Sequence, residues 1–191
     1  MTGNATLTGP TEDQMFDTVW GFVSSLFDPS LVGQFVKANQ NGTPTPTGTY
    51  AVFQPAVKMR TDQGVRSYAL NSGSTIAGTV NVSRGTQYYY QLDCYGPSAP
   101  DWADTITIAW RSLWAADYFN GGVEAGGATL AASIAPLYAD EPQQLNIVNA
   151  EQQYEQRYMC KLYFQAHQVV ALAQSFFDVV DPVLEPPVDI A

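Results

Sequence analysis

Two neighbouring segments carry the clearest hydrophobic pattern of the chain. Residues 87–96 alternate polar with large apolar side chains at a period of two, which predicts a long, half-buried strand. After prolines break that pattern, residues 101–119 place apolar side chains three and four positions apart, which predicts a helix with Asp101 at its N-cap. We expect this helix to lie across the sheet that contains the strand, and the rest of the fold to form around the pair.

The chain before residue 60 predicts a tail, one helix and several short strands. Residues 1–10 are small and polar, as in a loose tail, and Thr11 with Gln14 forms a capping-box pattern. The first helix is then expected to carry an apolar face at Met15, Val19, Phe22, Val23 and Leu26 and to end before Asp28 and Pro29. Composition predicts strands at 31–38, 50–53 and 57–60, with a loop at 39–48.

The segment between residues 61 and 85 has a weaker pattern. Gln63 and Gly64 predict a turn that returns the chain into a strand at 65–70, so that 57–60 and 65–70 form a hairpin. Residues 71–85 are small and rich in Gly and Thr, and fit either a flexible loop or two short strands.

The second half of the chain predicts another long strand after an irregular region. Residues 120–127 are Gly-rich, 128–135 fit a short helical or extended piece, and 137–151 have the composition of a long ordered loop. Such loops often contact a partner. Residues 153–164 alternate cleanly and predict a strand whose natural partner is 87–96, while 169–180 fit a short helix or a further strand. The Pro-rich end, residues 181–191, favours an edge strand or a tail.

Together these elements predict an α/β (α+β) fold with a mixed, mainly antiparallel sheet flanked by helices. The chain has 191 residues, which suits one domain over residues 11–191 with a long excursion around 120–151. We expect no signal peptide and no membrane-spanning segment, and therefore a protein made in the cytoplasm.

The charge balance restricts the partners. Eighteen acidic residues against eight Lys and Arg give a formal net charge of -10. This argues against tight binding of nucleic acid, whose affinity comes largely from basic side chains on phosphates, although an acidic protein can still surround DNA without gripping it. The tyrosines at 88, 89, 90 and 95 could stack on bases, but the basic residues are scattered, so core and interface packing is the better interpretation.

Candidate chemistry is sparse. Cys94 or Cys160 could act as a thiol nucleophile with the single histidine, His167, but buried structural thiols are the more economical interpretation, and the sequence does not decide whether the two cysteines form a disulfide. Asp140 with Glu141, or Glu151 with Glu155, could hold a hard cation, yet neither pair has the oxygen spacing of a calcium loop. No phosphate-binding glycine motif is present. We therefore predict no cofactor, no metal and no enzymatic activity.

Several blocks resemble the neck and tail terminator proteins of contractile-tailed bacteriophages. These are NQNGTPTPTGTYAVFQP (39–55), YYQLDCYGP (89–97) with the following Asp101, Arg111 and Asp117, APLYADEPQ (135–143) and NAEQQYEQRY (149–158). The resemblance reaches from about residue 40 to residue 165.

The resemblance implies a structural virion protein assembled in the host cytoplasm. It would form a homo-hexameric ring that caps the tail tube, ends tail polymerisation and joins the tail to the neck and connector proteins, with DNA passing through without specific binding; the tail sheath is a further possible partner. The interface candidates are Tyr138, Asp140, Glu141, Glu151, Gln153 and Arg157. The alternatives are a head-side completion (stopper or adaptor) protein of the neck, a soluble binding module, and the cysteine-dependent hydrolase considered above.

Overall fold

The fold is described from a computed structural model, over residues 5–40, 44–60, 63–74, 77–121, 133–148 and 154–175. These residues form one nine-stranded sheet and three α-helices, which confirms the predicted α+β class. The elements are β1 (Ala5–Leu7), α1 (Glu12–Ser25), β2 (Phe35–Lys37), β3 (Tyr50–Phe53), β4 (Val57–Arg60), β5 (Val65–Leu70), β6 (Ala77–Tyr95), α2 (Ala99–Trp110), α3 (Leu113–Phe119), β7 (Ile134–Ala139), β8 (Gln143–Val148) and β9 (Tyr154–Ser175).

Two long antiparallel strands form the centre of the sheet. All 19 residues of β6 pair with β9, from Ala77 opposite Ser175 to Tyr95 opposite Arg157, without a register shift. The predicted pairing of the two long strands is confirmed, but both are longer than their hydrophobic pattern indicated. The Gly- and Thr-rich residues 77–85 are part of β6, because β5 and β9 hydrogen-bond to them on both sides.

One edge of β6 is lined in sequence order by β3, β4 and β5. Each of the three is antiparallel to β6, starting with Tyr50 opposite Tyr95 and ending with Leu70 opposite Gly78. The predicted hairpin between β4 and β5 is therefore wrong: β5 continues in the direction of β4 along the same edge, and its hairpin partner is β6. The short β2 pairs parallel to β3.

The free edge of β9 is lined by β1, β7 and β8, all antiparallel to it. Residues 134–139 and 143–148 were expected to belong largely to an irregular region, yet they form edge strands, because β9 offers them unpaired backbone groups. Ala5–Leu7, expected in a loose tail, pair with residues 170–172. Residues 169–175, expected to form a short helix or a further strand, are the end of β9. Residues 122–132, 149–153 and 176–191 lie outside the described part of the chain, and so do the expectations for those residues.

The first helix forms as predicted. The Thr11 hydroxyl accepts a hydrogen bond from the backbone N–H of Gln14, and the side-chain carbonyl of Gln14 accepts one from the backbone N–H of Thr11. The capping box is therefore complete. Downstream, Pro29–Gln34 form a 3₁₀ helix, with the Asp28 carboxylate accepting from the Ser30 amide. The strand expected at 31–38 is thus reduced to β2.

The single helix expected at 101–119 is two helices. Ser98, rather than Asp101, is the N-cap of α2. The helix ends at Arg111, and Ser112 takes an extended conformation while its hydroxyl donates to the Ala109 carbonyl at 2.6 Å. A hydrogen bond from a serine hydroxyl to a carbonyl three residues earlier competes with the hydrogen bonds that would extend the helix. This explains the break between α2 and α3.

All three helices cover one side of the sheet, which we call the inner face. Even-numbered residues of β6 and β9 point to it, and the core beneath the helices spans Tyr88–Cys94 of β6 and Cys160–Ala166 of β9. Phe22 of α1 lies at the centre, with ring centroids 5.5 Å from Trp110 and 5.1 Å from Phe119. The opposite side, the outer face, carries the odd-numbered residues of both strands.

Candidate assembly surface

The outer face is polar and rich in tyrosine, in contrast to the aromatic core. The tyrosine run of β6 alternates between the two sides: Tyr88 and Tyr90 are buried on the inner face, while Tyr89 and Tyr95 lie on the outer face. Core packing is therefore confirmed for Tyr88 and Tyr90. The remaining tyrosines contribute to two clusters on the outer face, one near each end of the core.

The first cluster surrounds a fully buried carboxylate. Asp93 has an exposure of 0 %, and Arg157 from β9 approaches it with Nη2 at 2.9 Å and Nε at 3.2 Å from Oδ1. The amide of Gln54 donates to Oδ2 at 2.9 Å, and that of Gln91 donates to Oδ1 at 3.2 Å. A buried charge needs both a counter-ion and hydrogen bonds, and Asp93 has them.

Aromatic rings extend this cluster toward the edge of the sheet. Tyr95 stacks on Tyr50 with ring centroids 4.9 Å apart, and the Arg157 guanidinium lies 5.8 Å from the Tyr95 ring. Burial raises the pKa of both phenols above their ordinary value of 10.0. Beside them, an open pocket of about 320 Å³ is lined by Lys37, Pro44, Pro46 and Glu155 among others.

The second cluster ties β7 to the two central strands. Tyr138 stacks on Tyr163 at 4.3 Å, Tyr163 contacts Tyr89 at 5.1 Å, and the amide of Gln87 donates to the Tyr138 hydroxyl at 3.0 Å. Tyr163 donates to the Asp140 carboxylate at 3.3 Å. Burial, followed by the charge of Asp140, raises the pKa of Tyr163 to about 12.

Arg111, at the C-terminal end of α2, also holds the connection between β7 and β8. It pairs with Glu141 at 2.6 Å and donates to the Ala139 carbonyl through Nε at 3.1 Å and through Nη2. Glu141 is mostly exposed, so the pair itself contributes little, but the bonds to the Ala139 carbonyl hold the end of β7 against α2.

The structure brings three of the six interface candidates together. Tyr138, Asp140 and Glu141 follow one another at the end of β7, whereas Arg157 belongs to the Asp93 cluster, six residues from Tyr163 along β9. Glu151 and Gln153 lie outside the described residues. Sequence reasoning missed Asp93, Gln54 and Tyr163. Asp93 lies on the polar side of the alternation in β6, where an exposed side chain is expected, so the local pattern carried no signal that this carboxylate is buried.

The thiol and histidine of the hydrolase alternative are not brought together. Cys94 and Cys160 are free, buried and on the inner face, while His167 is exposed on the outer face, about 23 Å along β9 from Cys160 at the usual rise per strand residue. Burial raises the pKa of the Cys94 thiol to about 12 and that of Cys160 well above its usual value. This arrangement cannot supply a thiolate activated by a histidine base.

Two features are absent from the described residues, a cluster of metal ligands and a membrane-spanning helix. No three His, Cys, Asp or Glu side chains in this part of the chain lie close enough to hold a metal ion. No helix among these residues is long and apolar enough to cross a membrane.

The model of a family described as phage neck terminator protein matches residues 13–190, which is nearly the whole chain. No curated protein matches the sequence.

Proposed function

This chain belongs to the phage neck terminator protein family, a family of structural proteins of the virion neck, and we propose that it forms a ring that caps the tail tube. In this role it ends tail polymerisation and joins the tail to the connector proteins of the head. The ring has six copies, belongs to a contractile tail that brings the sheath near the neck, and leaves a passage for DNA.

The observation that carries the proposal is the fixed geometry of the β7–β8 connection. Tyr163 holds Tyr138 and Asp140 on the outer face, and Arg111, which caps the C-terminus of α2, holds the end of β7 through the Ala139 carbonyl. Tyr138 nevertheless keeps 47 % of its surface exposed. A rigid aromatic ring of this kind contributes contact area at a low cost in conformational entropy, which favours a role in subunit contact.

The charge of the chain supports a passage that does not grip DNA. At a formal net charge of -10, a ring of several copies repels phosphate rather than neutralising it. Binding of DNA that fell steeply with salt would contradict this part of the proposal, because that dependence reports basic side chains on phosphates.

The direct test is the state of assembly with and without tail tubes. Light scattering over a concentration series, followed by negative-stain imaging of the same samples, should show a closed ring, either free or at the tips of tubes. A protein that stays monomeric and ignores tubes would overturn the proposal.

Deletion of the coding sequence separates the tail-side from the head-side role. A terminator should leave tails of uncontrolled length, or finished tails that do not attach to heads. If the deletion left tails of normal length and capsids that lose DNA, the protein would be a head-side completion protein; normal virions would exclude both roles.

A further inference from the structure

The two central strands continue beyond the core and form what we call the arm. It consists of β5, residues 77–85 of β6, residues 167–175 of β9, and β1, in the strand order β5-β6-β9-β1. The core beneath the helices ends at Tyr88 and Ala166. Nine residues of strand beyond that point correspond to about 30 Å.

The inner face of the arm is apolar and exposed. It carries Leu7, Tyr68, Leu70 and Leu172, which the register places on one side, with exposed fractions of 53, 61, 58 and 39 %. The outer face of the arm carries small or polar residues such as Ser67, Thr79 and Asn81, with Val65 and Val169 as exceptions. The alternation required for one buried face thus persists where the helices have ended.

The arm and the helices carry opposite charge. The four strand segments of the arm contain Arg66 and Arg84 and no acidic residue, and both arginines share the inner face with the apolar side chains. Within the described residues neither arginine has an ion-pair partner. The three helices contain six acidic residues and no Lys or Arg, and Arg111, which follows the last residue of α2, is paired with Glu141.

The solvent-facing side of α2 combines acidic and apolar groups in the same way. Asp101, Asp104 and Ile108 are exposed at spacings of three and four residues, so they lie on one side of the helix. Ile108 is 71 % exposed, and Leu113 at the start of α3 is 85 % exposed. This surface therefore offers carboxylates beside apolar side chains, as a complement to the arm.

The arm does not reach α2 of its own chain. Arg66 lies opposite Val82, six residues before Tyr88, which places it about 20 Å along the sheet from the start of the helix-covered core. A paired four-stranded sheet is too stiff to fold back over that distance. An α2 surface that contacts the arm therefore belongs to another molecule.

We infer that the inner face of the arm docks on α2 of the neighbouring copy in the ring, with Leu70 and Leu172 against Ile108 and with Arg66 against Asp101 and Asp104. The inference rests on the proposed ring and specifies which surfaces close it. The contact joins two different surfaces, so it is heterologous, and such a contact generates a ring when the rotation between copies closes.

The test is a charge reversal with a matched control and a rescue. Arg66→Glu changes the inner face of the arm, Ser67→Glu introduces the same charge one residue away on its outer face, and Arg66→Glu combined with Asp104→Arg restores an opposite pair. We expect Arg66→Glu to lower the ring fraction by about tenfold or more, as like charges in an interface do, while Ser67→Glu leaves it unchanged and the double variant recovers it. Mass photometry measures the ring fraction, alone and with tail tubes.

Each other outcome is decisive. If Arg66→Glu forms the ring as well as the wild type, the arm contact is overturned and the ring itself is not. If the variant forms the ring but no longer binds tubes, the arm contact is overturned as well, because the arm would then contact the tube protein. Loss without recovery in the double variant overturns α2 as the acceptor. A lowered melting temperature of dilute, monomeric Arg66→Glu would show that the arm covers its own chain. A wild-type protein that is monomeric alone and on tubes overturns ring and contact together.

Discussion

Arg157 covers the Asp93 carboxylate on the outer face and forms an ion pair with it, with 2.9 Å between Arg157 Nη2 and Asp93 Oδ1. The Asp93 side chain has no solvent exposure. The two residues come from different central strands, so their ion pair links β6 and β9 at the end nearest to α2. Arg157 was predicted from the sequence as an interface residue. In the structure its guanidinium is already engaged within the chain, and its contribution to folding can be separated from any contribution to assembly.

We predict that Arg157→Met destabilises the monomer by about 3 kcal/mol, because it leaves the Asp93 carboxylate buried without a counter-ion. The double variant Asp93→Asn with Arg157→Met should recover part of that loss, since no charge then remains in the site. Urea unfolding of the three proteins measures both effects. A double variant that is less stable than Arg157→Met would contradict this account of the pair.

A second prediction concerns Thr86, which is fully buried on the inner face of β6. Its hydroxyl has no hydrogen-bond partner among the described residues. Replacing it by an isosteric methyl group removes the desolvation cost of that hydroxyl, so Thr86→Val should raise the free energy of unfolding by about 1 kcal/mol. Thr86→Ala is the control, because it removes the hydroxyl and also leaves a cavity. A loss of stability in Thr86→Val would show that the hydroxyl has a partner.

The third prediction follows from the buried thiols. Burial raises the pKa of Cys94 to about 12 from an ordinary value of 9.0, so the folded protein keeps its proton at pH values at which the unfolded chain has lost it. The protonated Cys94 thiol therefore makes its full contribution to the free energy of unfolding below pH 9, and this contribution is lost as the pH rises toward 12. The loss amounts to about 1.4 kcal/mol per pH unit for one such group.

The measurement is the free energy of unfolding at several pH values from 8 to 11 for the wild type and Cys94→Ala. The raised phenol pKa values of Tyr90 and Tyr163 affect both proteins, so the difference in slope isolates the thiol. The wild type should lose stability more steeply above pH 9. Equal slopes would mean that Cys94 ionises in the folded protein as it does in the unfolded chain.

The periodic segments predicted the central part of the fold well. The alternation around Tyr89 and around Tyr158 gave the two central strands and their pairing, and Thr11 with Gln14 gave the start of α1. These signals are local, since a strand with one buried face and a capped helix both leave a regular spacing in the sequence. The class of protein was indicated by the family-like blocks, and the family match over residues 13–190 confirms it.

The errors lie where tertiary pairing decides the structure. Residues 77–85 have low strand propensity, yet they extend β6 because β5 and β9 pair with them on both sides. The same holds for β7 and β8, which were expected in an irregular region. The Asp93 cluster could not be predicted, because Gln54, which follows β3, and Arg157 of β9 reach Asp93 through a strand register that no local pattern records.

The last prediction concerns Tyr138, whose ring stacks on Tyr163 at 4.3 Å and remains nearly half exposed. Tyr138→Ala should weaken ring formation and lower the virion yield, while it destabilises the monomer by only about 1 kcal/mol, the usual contribution of an aromatic pair. Tyr138→Phe is the matched control: it keeps the stacked ring and removes only the hydroxyl that accepts from Gln87. Complementation of a deletion phage measures the yield, and thermal unfolding measures the stability of the monomer. If Tyr138→Ala supported a normal yield, the end of β7 would have no part in assembly; if Tyr138→Phe failed as badly as Tyr138→Ala, the hydroxyl rather than the ring would make the contact.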